Sequence, residues 1–325
     1  MAKKEKKEIV AEHLDIPFEE YVATHPLSEE IKKSLKKPLV IRIDWGLWRN
    51  VAMTWAITEV AKHRPVKVIA SWPLVFWGNP YIDSIHGLDD RDLFRQVIKG
   101  HDYIELEPYT DPAFFNDATN WLDVAAKQLG LDKPYDPVLY LAEHEKIKNT
   151  AGVTNKPKLL YQPFGSSVVD PIGADKSYRS LYVKDAQYIA DRLTEAGFEL
   201  LQVIRPWQPE LRWCTILDTP DLRYVVSLCA RYLVVGCDSC LHHCSKAFGF
   251  PAVVVWAGTD VERYGYESSI NLREHPMVAH TPMRLPMNSF DFDISNQHTN
   301  EFSQAFLDKV VDETINLANK FYLKK

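Results

Sequence analysis

The sequence predicts an α/β protein of two domains, each a parallel sheet with helices packed on it, facing one another across a cleft. Short apolar runs rich in β-branched residues alternate with helical patterns, and this rhythm restarts after a proline-, lysine- and asparagine-bearing stretch near residues 150–157. Residues 232–264 then hold a strand, a polar turn, a helix and a second strand in one βαβ unit. Parallel strands joined through helices leave their ligand crevice at the carboxyl ends, so Asp238 and Ser239, where the enclosed helix begins, are expected to stand in it.

A chain of 325 residues with 46% hydrophobic content is long enough for two ordinary cores. The formal charge of −6 gives no global basic bias of the kind that grips nucleic acid through its phosphates. The 5 cysteines all fall between Cys214 and Cys244, which is not the framework of a secreted disulfide scaffold and points to a reducing compartment. The opening MAKKEKKEIV lacks an apolar signal region, and no stretch approaches the ~20 apolar residues of a membrane span. The expected location is the cytoplasm, free or peripheral at the inner membrane face.

Residues 1–36 read as a charged N-terminal extension. The first domain is expected over 37–155. It opens with the strand PLVIRI (38–43), the loop DWGLWRN and the helical pattern VAMTWAITEVAKH (51–63), which makes Asp44, Trp45, Arg49 and Asn50 loop residues at the crevice. Asp44 is equally a turn or capping aspartate on position alone. Strands follow at 66–70 and 103–106 and an amphipathic helix at 116–129, with the aromatics Trp72, Phe76, Trp77 and Tyr81 expected to pack between sheet and helices. The second domain is expected over 156–300, with strands at 159–162, 198–204, 215–217, 232–235 and 251–256 and helices at 183–196, 222–230 and 239–249. A C-terminal helix occupies 301–325, apolar at Phe306, Leu307, Val310 and Val311.

Residues 238–260 resemble the signature of glycosyltransferase family 9, the heptosyltransferase-like enzymes, which runs roughly D-[ST]-G-x-x-H, then G-x-P, a short apolar strand and G-x-T-[DN]. Here these are Asp238, Ser239, Cys240, Leu241, His242 and His243, then Gly249 and Pro251, then Gly258, Thr259 and Asp260. Residues 161–178 look like the family's loop of small residues ending in Lys-x-Trp, with Lys176 and Tyr178 in those places, and the first half resembles the family more thinly through PLVIRIDWGLWRNVAMTWAI.

The resemblance implies a GT-B fold: two Rossmann-like domains with parallel sheets facing a central cleft, a nucleotide-sugar donor held mainly by the second, and an acceptor over the first. It also implies an inverting, metal-independent hexosyl- or heptosyl-type transferase that needs no cofactor and transfers to a saccharide or glycan hydroxyl. On that reading the start of the signature helix, Ser239 to Leu241, receives the donor diphosphate, because a helix start offers unpaired N–H groups and a positive dipole end. Lys176 balances the leaving diphosphate. His243 aims at phosphates or sugar, and Asp238 accepts from sugar hydroxyls. Gly165 and Ser166 approach the substrates closely, and Glu210, with Gln208, stands near the family's ribose-binding glutamate. The family's Gly-Asp before the first helix, whose aspartate is the expected base, reads Arg49 and Asn50 here, and an amide takes no proton at neutral pH. Asp44 is the nearest replacement. Cys240 stands in place of a glycine.

The Cys237-x-x-Cys240 spacing followed by His242, His243 and Cys244 suggests a metal, but lacks the second ligand pair of a structural zinc site, so buried reduced cysteines are expected and no metal. Helical geometry is expected to point His242 away from the site that His243 serves. Two other functions stay open: a nucleotide-sugar-binding protein that has lost turnover, and a glycosyltransferase acting on nucleic acid through Lys158, Lys176, Arg179 and Arg205.

Overall fold

The computed structural model describes residues 37–44, 46–108, 111–116, 119–146, 156–165, 179–205, 207–217, 221–274 and 301–323. The expected extension over 1–36 therefore lies outside the described residues, as do Trp45, Ser166, Lys176 and Tyr178. The chain divides into two compact units, Met1–Leu141 and Ala142–Lys325.

The first unit runs β1 (Leu39–Ile43), α1 (Leu47–Ala52), α2 (Thr54–Ala61), β2 (Val66–Ala70), β3 (Ser84–Gly87), β4 (Asp102–Glu105), α3 (Pro112–Asn116) and α4 (Trp121–Leu129). Its 4-stranded sheet has the order β3-β2-β1-β4, every pair parallel. Central β1 is covered on both faces, which is why it reads as a continuous apolar run: Val40, Ile41 and Ile43 are fully buried. Asn120 caps α4 by accepting from Leu122 N–H at 2.9 Å, and Gly130, at φ 72°, ends the helix in the left-handed turn that a residue with a Cβ rarely adopts.

Three expectations for this unit need correction. The first helix begins at Leu47 rather than at residue 51, so Arg49 and Asn50 are not loop residues but belong to α1, and both are buried. β3 was not expected, because SIHG is polar and only half-buried at the sheet edge. Among the aromatics, Phe76 packs in the core, whereas Trp77 is 60% and Tyr81 45% exposed.

The second unit runs β5 (Lys158–Gln162), α5 (Val183–Glu195), β6 (Glu199–Val203), β7 (Cys214–Leu217), α6 (Leu222–Cys229), β8 (Leu233–Cys237), α7 (Cys240–Ala247), β9 (Ala252–Trp256), α8 (Val261–Tyr264), β10 (Ile270–Arg273) and α9 (Gln304–Leu323). Its 6-stranded parallel sheet has the order β10-β9-β8-β5-β6-β7, so β5 and β8, distant in sequence, lie side by side at the centre. Gly236 makes that pairing close: a Cβ there would stand 2.1 Å from the Gln162 carbonyl oxygen. Helix α9 is integral to this unit, since Phe306, Val310 and Val311 share one core with Ile189 and Leu193 of α5 and Val235 of β8. Each apolar side chain of this kind contributes about 1.5–3 kcal/mol when it leaves water.

A largely buried ion pair ties the start of the unit to α6. Arg223 Nε and Nη2 donate to the two carboxylate oxygens of Glu145 at 2.7 and 2.6 Å. This bidentate contact, set against a smaller burial penalty, draws the Glu145 carboxyl down to about 2.

Candidate functional site

The site forms where the carboxyl ends of β5, β8 and β9 meet the start of α7. β8 ends at Cys237, Asp238 and Ser239 turn the chain, and α7 begins at Cys240. The residues at the turn and helix start are enclosed: Asp238, Ser239 and Leu241 are buried and Cys240 half-buried. Ser239 Oγ donates to Gln162 Oε1, which fixes the turn to the end of β5, and Ser239 N–H donates to His242 Nδ1 at 3.3 Å. The imidazole thus serves as the internal cap of α7.

His243 is fully buried, and its Nδ1 lies 2.7 Å from the Tyr266 hydroxyl. The two histidine rings sit 3.8 Å apart, so the expectation that His242 points elsewhere is corrected: both rings enter one buried cluster with Trp256 and Tyr266. Burial lowers the His242 pKa although the Asp238 charge opposes it, and burial, then His242, then the Arg179 charge hold His243 well below its ordinary value. Both imidazoles are neutral at pH 7.

Opposite this cluster, the segment after β5 brings Gly165 against the turn. A Cβ at Gly165 would stand 3.3 Å from the Asp238 carbonyl oxygen and 3.4 Å from Cys237 Sγ, so a larger residue there would press the two segments apart by a few tenths of an ångström. Gly165 N–H donates to Ser180 Oγ at 3.0 Å, and Arg179 Nη2 donates to the Gly165 carbonyl at 3.2 Å. Arg179 is 8% exposed. Its charge reaches both histidines. A second cation, Arg205, follows β6 and acts on Cys240. The Cys240 thiol is held well above its ordinary value by its hydrogen bond with Cys244 and by burial, with Arg205 pulling the other way. Cys240 and Cys244 Sγ lie 3.7 Å apart, and all five cysteines are free thiols, as expected.

At the end of β9, Thr259 Oγ1 is buried without a hydrogen-bond partner among the described residues. Asp260 beside it caps α8 by accepting from Glu262 N–H at 3.2 Å and pairs with Arg263 at 3.3 Å. Burial, reinforced by Glu262, raises the Asp260 carboxyl to about 6. Glu210 is exposed, and Gln208, buried, donates to the Phe164 carbonyl at 3.4 Å beside Gly165.

The first unit treats its polar residues differently. Asp44, at the carboxyl end of β1, accepts from Arg42 Nη2 at 3.2 Å and keeps 32% of its side chain exposed. Asn50 Nδ2 donates to the Gly46 carbonyl and to Ser71 Oγ, each at 3.1 Å. Arg49 Nη1 reaches both oxygens of Glu107 at 3.2 and 2.9 Å. Arg49 and Asn50 therefore brace the turn into α1 and the strand ends around it.

Among the described residues, Asp238, His242 and His243 place potential ligand atoms within 4.8 Å of one another, which is the set that could hold a cation. Sequence reasoning placed Arg179 only among the cations of a nucleic-acid cleft and gave Thr259 only its place in the signature. Arg179 follows the Lys-x-Trp-like segment directly and could have been found there, whereas the hydroxyl of Thr259 gave no signal beyond its place in the signature.

Two parallel α/β units, with the second unit's polar residues gathered at its strand ends, define the GT-B class of fold. Solved structures carry the same fold. The iron-containing dodecameric glycosyltransferase TibC from enterotoxigenic E. coli H10407 matches with a TM-score of 0.63 at 12% identity, over 86% of this chain and 76% of that one. A glycosyl transferase family 9 protein from Veillonella parvula DSM 2008 matches at 0.60 and 13%, over 87% and 98%. ADP-heptose lps heptosyltransferase II of E. coli matches at 0.57 and 14%, over 88% and 99%. At these identities the likeness establishes the fold. No sequence-family profile matches the chain, and no curated protein does. Among the described residues, no helix is long and apolar enough to cross a membrane.

Proposed function

We propose that the chain is a glycosyltransferase of hexosyl or heptosyl type that moves a sugar from a nucleoside-diphosphate donor to a saccharide or glycan hydroxyl. One observation carries this reading: the start of α7 lies with two cations, Arg179 and Arg205, at the carboxyl ends of central parallel strands. A diphosphate carries negative charge that grows as the glycosidic bond breaks. Backbone N–H groups at a helix start, together with fixed cations in a poorly hydrated setting, stabilise that charge more in the transition state than in the ground state. The fold agrees, since TibC, of the same fold, has been solved with ADP-D-beta-D-heptose.

In this reading Ser239, Cys240 and Leu241 offer the helix start, and Gly165, with Ser166 beyond it, lets the donor approach. Asp238 accepts from the sugar, and Lys176 assists the leaving group. His243, enclosed and bonded to Tyr266, supports α7 from behind rather than meeting solvent. Glu210, exposed beside the Gln208 turn, is available to the ribose. Asp44 is the base: it deprotonates the acceptor hydroxyl as that oxygen attacks the anomeric carbon and the carbon–oxygen bond to the diphosphate breaks on the other face, with inversion. The proposed setting is the cytoplasm, free or peripheral at the inner membrane face, and the acceptor is a saccharide rather than nucleic acid.

A thermal-shift and turnover panel of nucleoside-diphosphate sugars tests the proposal. At least one should raise the melting temperature and release its nucleoside diphosphate when an acceptor is present. The proposal is metal-independent, so EDTA should leave that turnover unchanged; loss of turnover restored by a divalent cation would instead assign Asp238, His242 and His243 to a metal. The buried structural role of Asn50 favours a second reading, in which the donor binds but no transfer follows. Donor binding without product from any acceptor would select it.

A further inference from the structure

β6 and β7 are parallel and in register from Leu200↔Cys214 to Val203↔Leu217, so the segment joining them must return the whole length of a strand. Among its described residues it does so without a helix. The segment carries two tryptophans, Trp207 near the carboxyl end of β6 and Trp213 at the amino end of β7. Both have left-handed backbone, at φ 73° and 66°, and both are exposed, at 82% and 71%. Neither feature helps the chain fold. A bulky side chain at positive φ is strained, and an indole left in water forgoes burial. Strain that persists must be held by its surroundings, and it concentrates where a ligand is gripped.

The restraints around Trp207 are visible. Gln208 N–H donates to the Arg205 carbonyl at 3.1 Å, and Arg205 N–H donates back to Gln208 Oε1 at 2.8 Å. Gln208 Nε2 donates to the Phe164 carbonyl at 3.4 Å, tying this turn to the segment of Gly165. Fully buried Gln202 closes the far side, donating to the Pro209 carbonyl and accepting from Leu211 N–H, each at 2.8 Å. The turn therefore presents Trp207 beside Arg205, whose charge reaches Cys240 at the start of α7. Trp213 has the same strain and exposure at the amino end of β7, the opposite end of the strands.

We propose that Trp207 is the stacking platform for the base of the nucleotide donor, and that it sets the affinity for nucleotide over bare phosphate. This deepens the nucleotide-sugar reading and rests on it. A diphosphate at Arg205 and α7 leaves its nucleoside one ribose away, and Trp207 is an exposed aromatic two residues from Arg205. Every nucleobase has a π-face, so such a platform serves purine and pyrimidine alike and favours the base without reading its edge. Trp213, far from the phosphates, has no part in it.

Titration calorimetry of the full chain with ADP, UDP and inorganic pyrophosphate tests this in the wild type and in Trp207→Ala, Trp207→Phe and Trp213→Ala. The expected result is a loss of about tenfold or more in affinity for both nucleotides in Trp207→Ala, with pyrophosphate unchanged, substantial recovery in Trp207→Phe and no effect in Trp213→Ala. Circular dichroism should show every variant folded, since the replaced side chains are exposed. Wild-type nucleotide affinity in Trp207→Ala overturns the platform and leaves the nucleotide-sugar reading intact. An equal loss of pyrophosphate overturns it too, as does an effect confined to a saccharide acceptor. Absence of any nucleotide binding by the wild type overturns both.

Discussion

The strand ends of the two units differ in the charge they gather. In the first unit cations pair with carboxylates, Arg49 with Glu107 and Arg42 with Asp44, and Asn50 bonds Gly46 and Ser71. In the second, the start of α7, Arg179 and Arg205 gather positive potential in one place, and Thr259 Oγ1 stays buried without a partner among the described residues. Carboxylates paired with guanidinium groups hold a fold together, whereas cations gathered near a helix start favour an anionic ligand. On the proposed reading, the difference favours donor binding in the second unit and leaves the first to supply the base through Asp44, its least enclosed candidate.

The largest expected effect separates these tasks. Asp44→Asn should lower kcat by about 10²- to 10⁴-fold while leaving the donor dissociation constant as it was, because a general base acts on the transition state and not on donor affinity. Unchanged kcat would move the base elsewhere. Arg179→Met should weaken donor binding by about 30-fold or more, the effect of truncating one partner of an enclosed charged contact, read by calorimetry with the donor's nucleoside diphosphate. Asn50→Ala should cost about 1–3 kcal/mol in denaturant unfolding and leave donor affinity alone. If it abolished turnover without loss of stability, Asn50 would belong to the chemistry rather than to the scaffold.

The smallest expected effect is a slope. The folded chain keeps a proton on Asp260 up to about 6, while the unfolded chain releases it near 3.8, so the folded state binds more protons between these values. Stability from this group is therefore greatest at the acid end and declines as pH rises through about 6. Asp260→Asn, which retains a cap for α8, should flatten the melting temperature across that window. An unchanged slope would assign the pH dependence to other groups.

Much of the second unit was legible because its strands are enclosed on both faces, so β5, β8 and β9 stand out as apolar runs ended by polar residues. The signature segment then placed Asp238 and Ser239 at the helix start, where the structure has them. Edge strands β3 and β10 were not legible, since SIHG and INLR are half-buried and carry no alternating pattern. The role of Asn50 was hidden for a different reason. Its helix starts before any apolar periodicity begins, at Leu47 behind Gly46, so the residue reads as loop. His242 was misdirected because angular spacing on a helix gives the direction of the Cβ and not the path of a long side chain that turns back to cap its own helix.

Donor binding by the second unit is the central claim, and direct titration of the intact chain with nucleoside-diphosphate sugars, each competed with its own nucleoside diphosphate, tests it most closely. The account predicts saturable binding of at least one sugar nucleotide, displaced by its nucleoside diphosphate and weakened about 30-fold or more in Arg179→Met. A folded chain that binds none of them, or one whose binding ignores Arg179, would contradict it.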